Sequence, residues 1–121
     1  MATCGCAADG VTVLDPLGYL DLMSLVETAA LVITDSGGLQ KEAFFAGKRA
    51  VVVMPDTGWR ELADCGWNVL AAPNAQAIES ASLSALETMV YPDSLFGEGD
   101  AAMRIVRAVQ ETLACPIQAT S

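Results

Sequence analysis

Thr34-Asp35-Ser36-Gly37-Gly38-Leu39-Gln40-Lys41-Glu42-Ala43 decides the reading of this 121-residue chain. It follows the apolar run Ala30-Leu31-Val32-Ile33 and leads into a segment with helical spacing. The pattern is a strand, a tight glycine turn and a helix start. Such a junction turns unpaired backbone N–H groups and the positive end of a helix dipole toward one point, which suits a phosphate. Ser36 adds a hydroxyl, and Gly37 and Gly38 let phosphate oxygens come close to the backbone. The plainer reading is a strand-to-helix turn with Ser36 as N-cap, and the two uses are compatible. Glu42 follows about one helical turn on, within reach of neutral hydroxyls beside that phosphate. A glutamate early in a helix also serves simply to compensate the dipole. Phosphate beside sugar hydroxyls points to a nucleotide or a nucleotide-sugar. Lys41 reads as a solvated cation.

Working outward, residues 11–14 (Val-Thr-Val-Leu) predict a short strand stopped by Asp15-Pro16. Leu20, Met23, Leu25 and Val26 recur at helical spacing over about 19–28. Residues 30–34 read as a buried strand, continuous in apolar character as parallel strands are. Residues 39–46 predict a helix closed by Gly47. Ala50-Val51-Val52-Val53-Met54 is the strongest strand, ended by Pro55. A short helix over 59–64 stops at Gly66, and residues 68–71 form a fourth strand. Asn74 caps a helix to about residue 90, with Ile78, Leu83, Leu86 and Met89 inward. Asp100 caps a last helix to about 113 that buries Ile105, Val106, Val109 and Leu113. Residues 1–10 read as a disordered amino-terminal segment. Alternation of this kind predicts an α/β fold, a parallel sheet with helices on both faces.

Composition narrows the partners. Hydrophobic residues make up 53% of the chain, enough for a core, and the net charge of −9 opposes a nucleic-acid backbone or an anionic membrane. A single phosphate is still bound locally by backbone dipoles. No run is long enough to span a bilayer and no segment has a signal-peptide layout, so a reducing cytoplasm is expected. The four cysteines are Cys4, Cys6, Cys65 and Cys115, and Cys4-Gly5-Cys6 lacks a second pair at zinc-ligand spacing. No metal is therefore expected. Without histidine, acid–base work falls to carboxylates, lysines, tyrosines or cysteines.

The loop Asp56-Thr57-Gly58-Trp59-Arg60-Glu61 opens at the same sheet edge as the glycine turn. Thr57 reads as a cap, Trp59 as a packing residue more than a stacking platform, and Arg60 with Glu61 as a surface ion pair. Phe96-Gly97-Glu98-Gly99-Asp100-Ala101-Ala102 reads as a loop and helix start.

Taken in order, Pro16-Leu17-Gly18-Tyr19-Leu20-Asp21, the 34–43 stretch, Asp56-Thr57 with Trp59 and Glu61, Gly66-Trp67-Asn68-Val69-Leu70, and residues 96–106 resemble the carboxyl-terminal domain of non-hydrolysing UDP-N-acetylglucosamine 2-epimerase. The likeness runs from about residue 11 to 113. The family has two Rossmann-like domains in the glycosyltransferase-B arrangement, with the active site in the cleft between them. It interconverts UDP-N-acetylglucosamine and UDP-N-acetylmannosamine by eliminating and re-adding UDP through a 2-acetamidoglucal. The resemblance implies that residues 11–121 are a partial UDP-sugar-binding domain. It implies that Ser36, Gly37 and Gly38 hold the diphosphate, that Glu42 binds the ribose hydroxyls, and that a backbone group at Leu22 holds uracil. It implies UDP or a UDP-N-acetylhexosamine as ligand and no cofactor.

This chain departs from the family in two ways. Pro55 stands where the family has an arginine able to pair with the diphosphate, and Arg60 is the nearest replacement. The amino-terminal domain with its carboxylates, and a histidine-bearing turn, have no counterpart here. The isolated chain is thus expected to bind nucleotide without epimerising, and no catalytic residue is assigned. Two strands between residues 11–14 and 30–34 are also missing by the order 3-2-1-4-5-6. Either those two strands pair directly, or the first docks elsewhere, or a second copy fills the gap, and an open apolar edge there favours a homo-oligomer. A competing reading is a non-catalytic module that complements a separately encoded amino-terminal half or regulates a full-length homologue. A hydrolysing epimerase relative shares the Ser-Gly-Gly and Glu pattern. Half of another UDP-sugar glycosyltransferase fits the glycine turn but not Gly66-Trp67-Asn68 or residues 96–106.

Overall fold

A strand that is always followed by a helix must be re-entered from the same end, and so pairs in parallel with the next. The computed structural model describes residues 10–114. Its elements are α1 (Tyr19–Thr28), β1 (Val32–Thr34), α2 (Gly37–Phe45), β2 (Ala50–Val52), α3 (Arg60–Asp64), β3 (Asn68–Leu70), α4 (Ala75–Ala85) and α5 (Ala101–Ala114). The strands pair in parallel in the order β1-β2-β3, with Val32 opposite Ala50 and Ala50 opposite Asn68.

Alternate residues of the strands enter two separate cores, which places helices on both faces. Val32 and Ala50 pack with Val26 of α1 and Ala43 of α2. Val51 packs with Ala81 and Ala85 of α4, and Leu31, Val53, Val69 and Ala71 join them. Local signals set the helix ends. Gly47 takes φ +70° and its N–H donates to the Phe44 carbonyl while the Lys48 N–H donates to that of Ala43, a Schellman closure of α2. Asn74 Oδ1 accepts from the Ala77 N–H at 2.9 Å, the N-cap expected for α4.

Four expectations are corrected. Residues 11–14 form no strand: Val11, Val13 and Leu14 are exposed. A β-branched run needs a neighbour to pair with, and β1 pairs with β2 alone among the described strands, so direct pairing of residues 11–14 with β1 does not occur. Next, α4 ends at Ala85 rather than near 90, and Leu83, Leu86 and Met89 are exposed while Ala81 and Ala85 are buried. The apolar stripe of α5 is likewise present but exposed at Ile105, Val106, Val109 and Leu113. Helical periodicity marks an apolar face without supplying the surface that covers it. The fourth concerns Arg60, which pairs with Asp56 at 3.2 Å, not with Glu61. The chain divides after Thr88 into two compact units, α5 belonging to the second. The amino-terminal segment, apart from Gly10, lies outside the described residues, as do Cys4, Cys6 and Cys115. Cys65 is a half-buried thiol. Among the described residues no helix is long and apolar enough to cross a membrane.

Asn68 begins β3 with 3% of its surface exposed, and neither side-chain polar atom has a hydrogen-bond partner among the described residues. Burying such a group uncompensated costs about 1–3 kcal/mol. Asn68→Leu, of similar size, is expected to raise stability by about 1 kcal/mol in urea denaturation. A lowered midpoint would contradict this account of Asn68.

Candidate functional site

The β1–α2 junction forms as its residues demand. Thr34 ends β1 buried, and its Oγ1 accepts from the Ser36 N–H at 2.9 Å. Ser36 is the N-cap of α2 in extended backbone, its Oγ accepting from the Leu39 N–H at 3.5 Å. Gly37 and Gly38 are therefore the first two helical residues, whose N–H groups have no carbonyl within the helix to meet. The first turn of α2 carries no acidic side chain, so the positive end of its dipole is not compensated from within that turn.

The two glycines are not there for the chain's own conformation. Neither has positive φ. A Cβ at Gly37 would meet nothing within 4 Å, and one at Gly38 would touch only Ser36 Oγ at 3.9 Å. Neither backbone strain nor packing asks for glycine, and the space above the two amides is open.

Glu42 sits at the sixth position of α2, beyond the first turn where dipole compensation acts. It is half-buried in a groove of about 200 Å³ between α1 and α2, lined with Tyr19, Met23, Glu27, Phe45 and Ala46. Carboxylates beside an apolar floor suit neutral hydroxyls. Leu22 lies on α1 next to this groove without lining it. Its N–H donates to the Gly18 carbonyl at 3.0 Å, and its carbonyl lies inside α1, facing the amide of Val26 four residues on. Ser36, Gly37 and Gly38 thus share one turn, Glu42 lies farther along the same helix, and Leu22 stands on the neighbouring helix.

The loop after β2 is bound to α2 by contacts that the sequence did not disclose. Thr57, buried, donates from Oγ1 to Gln40 Oε1 at 2.6 Å and accepts there from the Trp59 N–H at 3.1 Å; it does not cap α3 as expected, because the N-cap is Trp59, without a side-chain cap, and Thr57 closes the turn before it. Trp59 Nε1 donates to the Gly37 carbonyl at 2.7 Å, and Lys41 Nζ stands 4.1 Å from the centre of the Trp59 ring. Trp59 therefore packs, as its neighbours suggested, while Lys41 lies against an aromatic face instead of being fully solvated. Residue types alone gave no sign of these pairings, which join positions about twenty residues apart. Among the described residues no group of carboxylates or cysteines could hold a metal ion.

A family model described as UDP-N-acetylglucosamine 2-epimerase matches residues 2–110. The UDP-2,3-diacetamido-2,3-dideoxy-D-glucuronate 2-epimerase of Pseudomonas aeruginosa is 47% identical over 96 residues, which are 78% of this chain and 27% of that protein. A UDP-N-acetylglucosamine 2-epimerase homolog of Methanococcus maripaludis is 37% identical over 105 residues, 84% of this chain and 29% of the relative. The UDP-GlcNAc 2-epimerase of Methanocaldococcus jannaschii, solved in complex with UDP-GlcNAc and UDP, superposes with a TM-score of 0.70 at 29% identity, covering 87% of this chain and 29% of that one. The chain spans less than a third of the length of each of these relatives.

Proposed function

We propose that this chain, which belongs to the UDP-N-acetylglucosamine 2-epimerase family, holds the UDP part of a UDP-N-acetylhexosamine at the β1–α2 turn. Ser36 and the amides of Gly37 and Gly38 grip the diphosphate, Glu42 accepts from the ribose hydroxyls, and a backbone group at Leu22 meets the uracil edge. The observation that carries this reading is the pair of glycines that neither conformation nor packing requires. The relatives' names differ in the sugar but share a UDP-sugar epimerised at C2, so the nucleotide is the better-supported part of the ligand.

By itself the chain binds without epimerising, because it spans less than a third of the relatives and the family's catalytic carboxylates belong to the other domain. Activity then depends on an amino-terminal half, in the same or a separate chain, and the open edge of β1 also admits a second copy. A hydrolysing relative would release UDP from UDP-N-acetylglucosamine, which the same incubation would reveal.

Calorimetric titration with UDP tests the site. Ser36→Ala and Glu42→Ala are each expected to weaken binding by roughly 1.5–3 kcal/mol, and equal affinities in all three proteins would defeat the assignment. Incubation of this chain with UDP-N-acetylglucosamine, followed by chromatography, is expected to return the substrate unchanged.

A further inference from the structure

We propose that Trp59 is a positioning residue for the diphosphate site, its indole N–H setting the direction of the Gly38 amide. The proposal rests on the diphosphate reading of the β1–α2 turn. Trp59 Nε1 donates to the Gly37 carbonyl at 2.7 Å. That carbonyl and the Gly38 N–H belong to one peptide group, which is planar and turns as a unit. Whatever fixes the oxygen therefore fixes the line along which the amide meets an anion. This plane lies between two glycines, where no Cβ restricts rotation. It also lies in the first turn of α2, where the amide has no carbonyl of the helix to meet. Within the helix the Gly37 oxygen faces the amide of Lys41, four residues on. The indole is a second donor, arriving from outside the helix. A donor on the oxygen also polarises the peptide and strengthens its N–H toward an acceptor on the other side.

Trp59 is itself fixed against α2. Its backbone N–H donates to Thr57 Oγ1 at 3.1 Å, and the same hydroxyl donates to Gln40 Oε1 at 2.6 Å. Thr57 and Gln40 are 6% and 1% exposed, so this link is shielded from competing water. Gln40 stands three residues after Gly37, on the same side of the helix. The loop after β2 thus meets α2 at two points, at Gln40 through Thr57 and at Gly37 through Trp59. The buried link sets where the half-buried indole stands, and the indole reaches the exposed turn. The Trp59 ring also has Lys41 Nζ at 4.1 Å from its centre, a contact that any aromatic side chain at this position can make. The directed N–H is what a plain ring lacks.

NMR titration of the full chain with UDP and with uridine, which lacks the diphosphate, tests the role. Trp59→Phe keeps a ring and removes the donor. It is expected to weaken UDP roughly fivefold and to leave uridine within about twofold. Equal loss of both ligands would overturn the role of Trp59, as the mark of a packing effect. Unchanged UDP affinity in Trp59→Phe, while Ser36→Ala and Glu42→Ala still lose affinity, would also overturn it and leave the site standing. The unaltered chain supplies a second measurement that needs no substitution. It has two tryptophans, and Trp67 Nε1 donates at 3.0 Å to the carbonyl of Lys48, just past the far end of α2. Saturation with UDP is expected to move the Trp59 indole N–H resonance downfield and to leave that of Trp67 in place. A Trp59 resonance that UDP moves no more than uridine does would overturn the role, and this measurement decides the matter if Trp59→Phe does not fold. Unchanged UDP affinity in Ser36→Ala and Glu42→Ala, or no UDP binding by the unaltered chain, would remove the diphosphate reading and the role of Trp59 with it.

Discussion

Arg49→Met is expected to destabilise the domain by about 3 kcal/mol and to lower the melting temperature by more than about 10 °C. One guanidinium closes four carbonyls here. Nε donates to Trp67 O at 3.1 Å, Nη2 to Gly66 O at 2.8 Å, and Nη1 to Ser84 O and Glu87 O at 3.1 Å each. These acceptors lie at the entry to β3 and at the carboxyl end of α4, where a cation also meets the helix dipole. Hydrogen bonds to charged groups are worth roughly 1.5–3 kcal/mol each and do not add in full. The Ser84 and Glu87 carbonyls can turn to water, while those of Gly66 and Trp67 lie in half-buried surroundings. Methionine preserves the apolar stem, which isolates the loss of the fork. Arg49→Lys is expected to recover little, since an ammonium lacks the planar spread of donors. Urea denaturation decides the matter: a change below about 0.5 kcal/mol would show that the four contacts carry no net weight.

The second large effect falls on binding and spares the fold. The double variant Gly37→Ala, Gly38→Ala is expected to be as stable as the parent or slightly more so, because alanine is the better helix former and open space receives both methyl groups. UDP affinity is nonetheless expected to fall roughly a hundredfold, as two amides lose close approach to the phosphate oxygens. Most substitutions that abolish binding also disturb folding, so the contrast is informative. A stable double variant that binds UDP as the parent does would mean that the glycines belong to the chain's history and not to its ligand. An unstable one would return them to a structural role.

Much of this could be read from residue order. The strand-turn-helix at residues 32–45 followed from an apolar run meeting Ser36-Gly37-Gly38. The closure at Gly47 followed from glycine's freedom at positive φ, and the start of α4 from the amide of Asn74. Each depends on atoms within a few residues of one another, where backbone preference and capping act. The parallel order of the sheet followed from alternation; Ser36, Gly37 and Gly38 followed as a candidate anion site from that junction, and the ribose role of Glu42 only from the resemblance to the epimerase family.

What the tertiary structure decided involves partners distant in the chain. Residues 11–14 carry a strand's composition but have no strand beside them. α5 has an apolar face that periodicity reveals and that stays exposed. α4 stops at Ala85, short of the end of its apolar pattern, with Arg49 on the carbonyls just beyond. Arg60 chose Asp56 over Glu61, and Lys41 found Trp59. Local sequence sets what each segment can do alone. Pairing, burial and the neutralising of charge depend on which distant atoms arrive within a few ångströms, and no short stretch of residues contains that information.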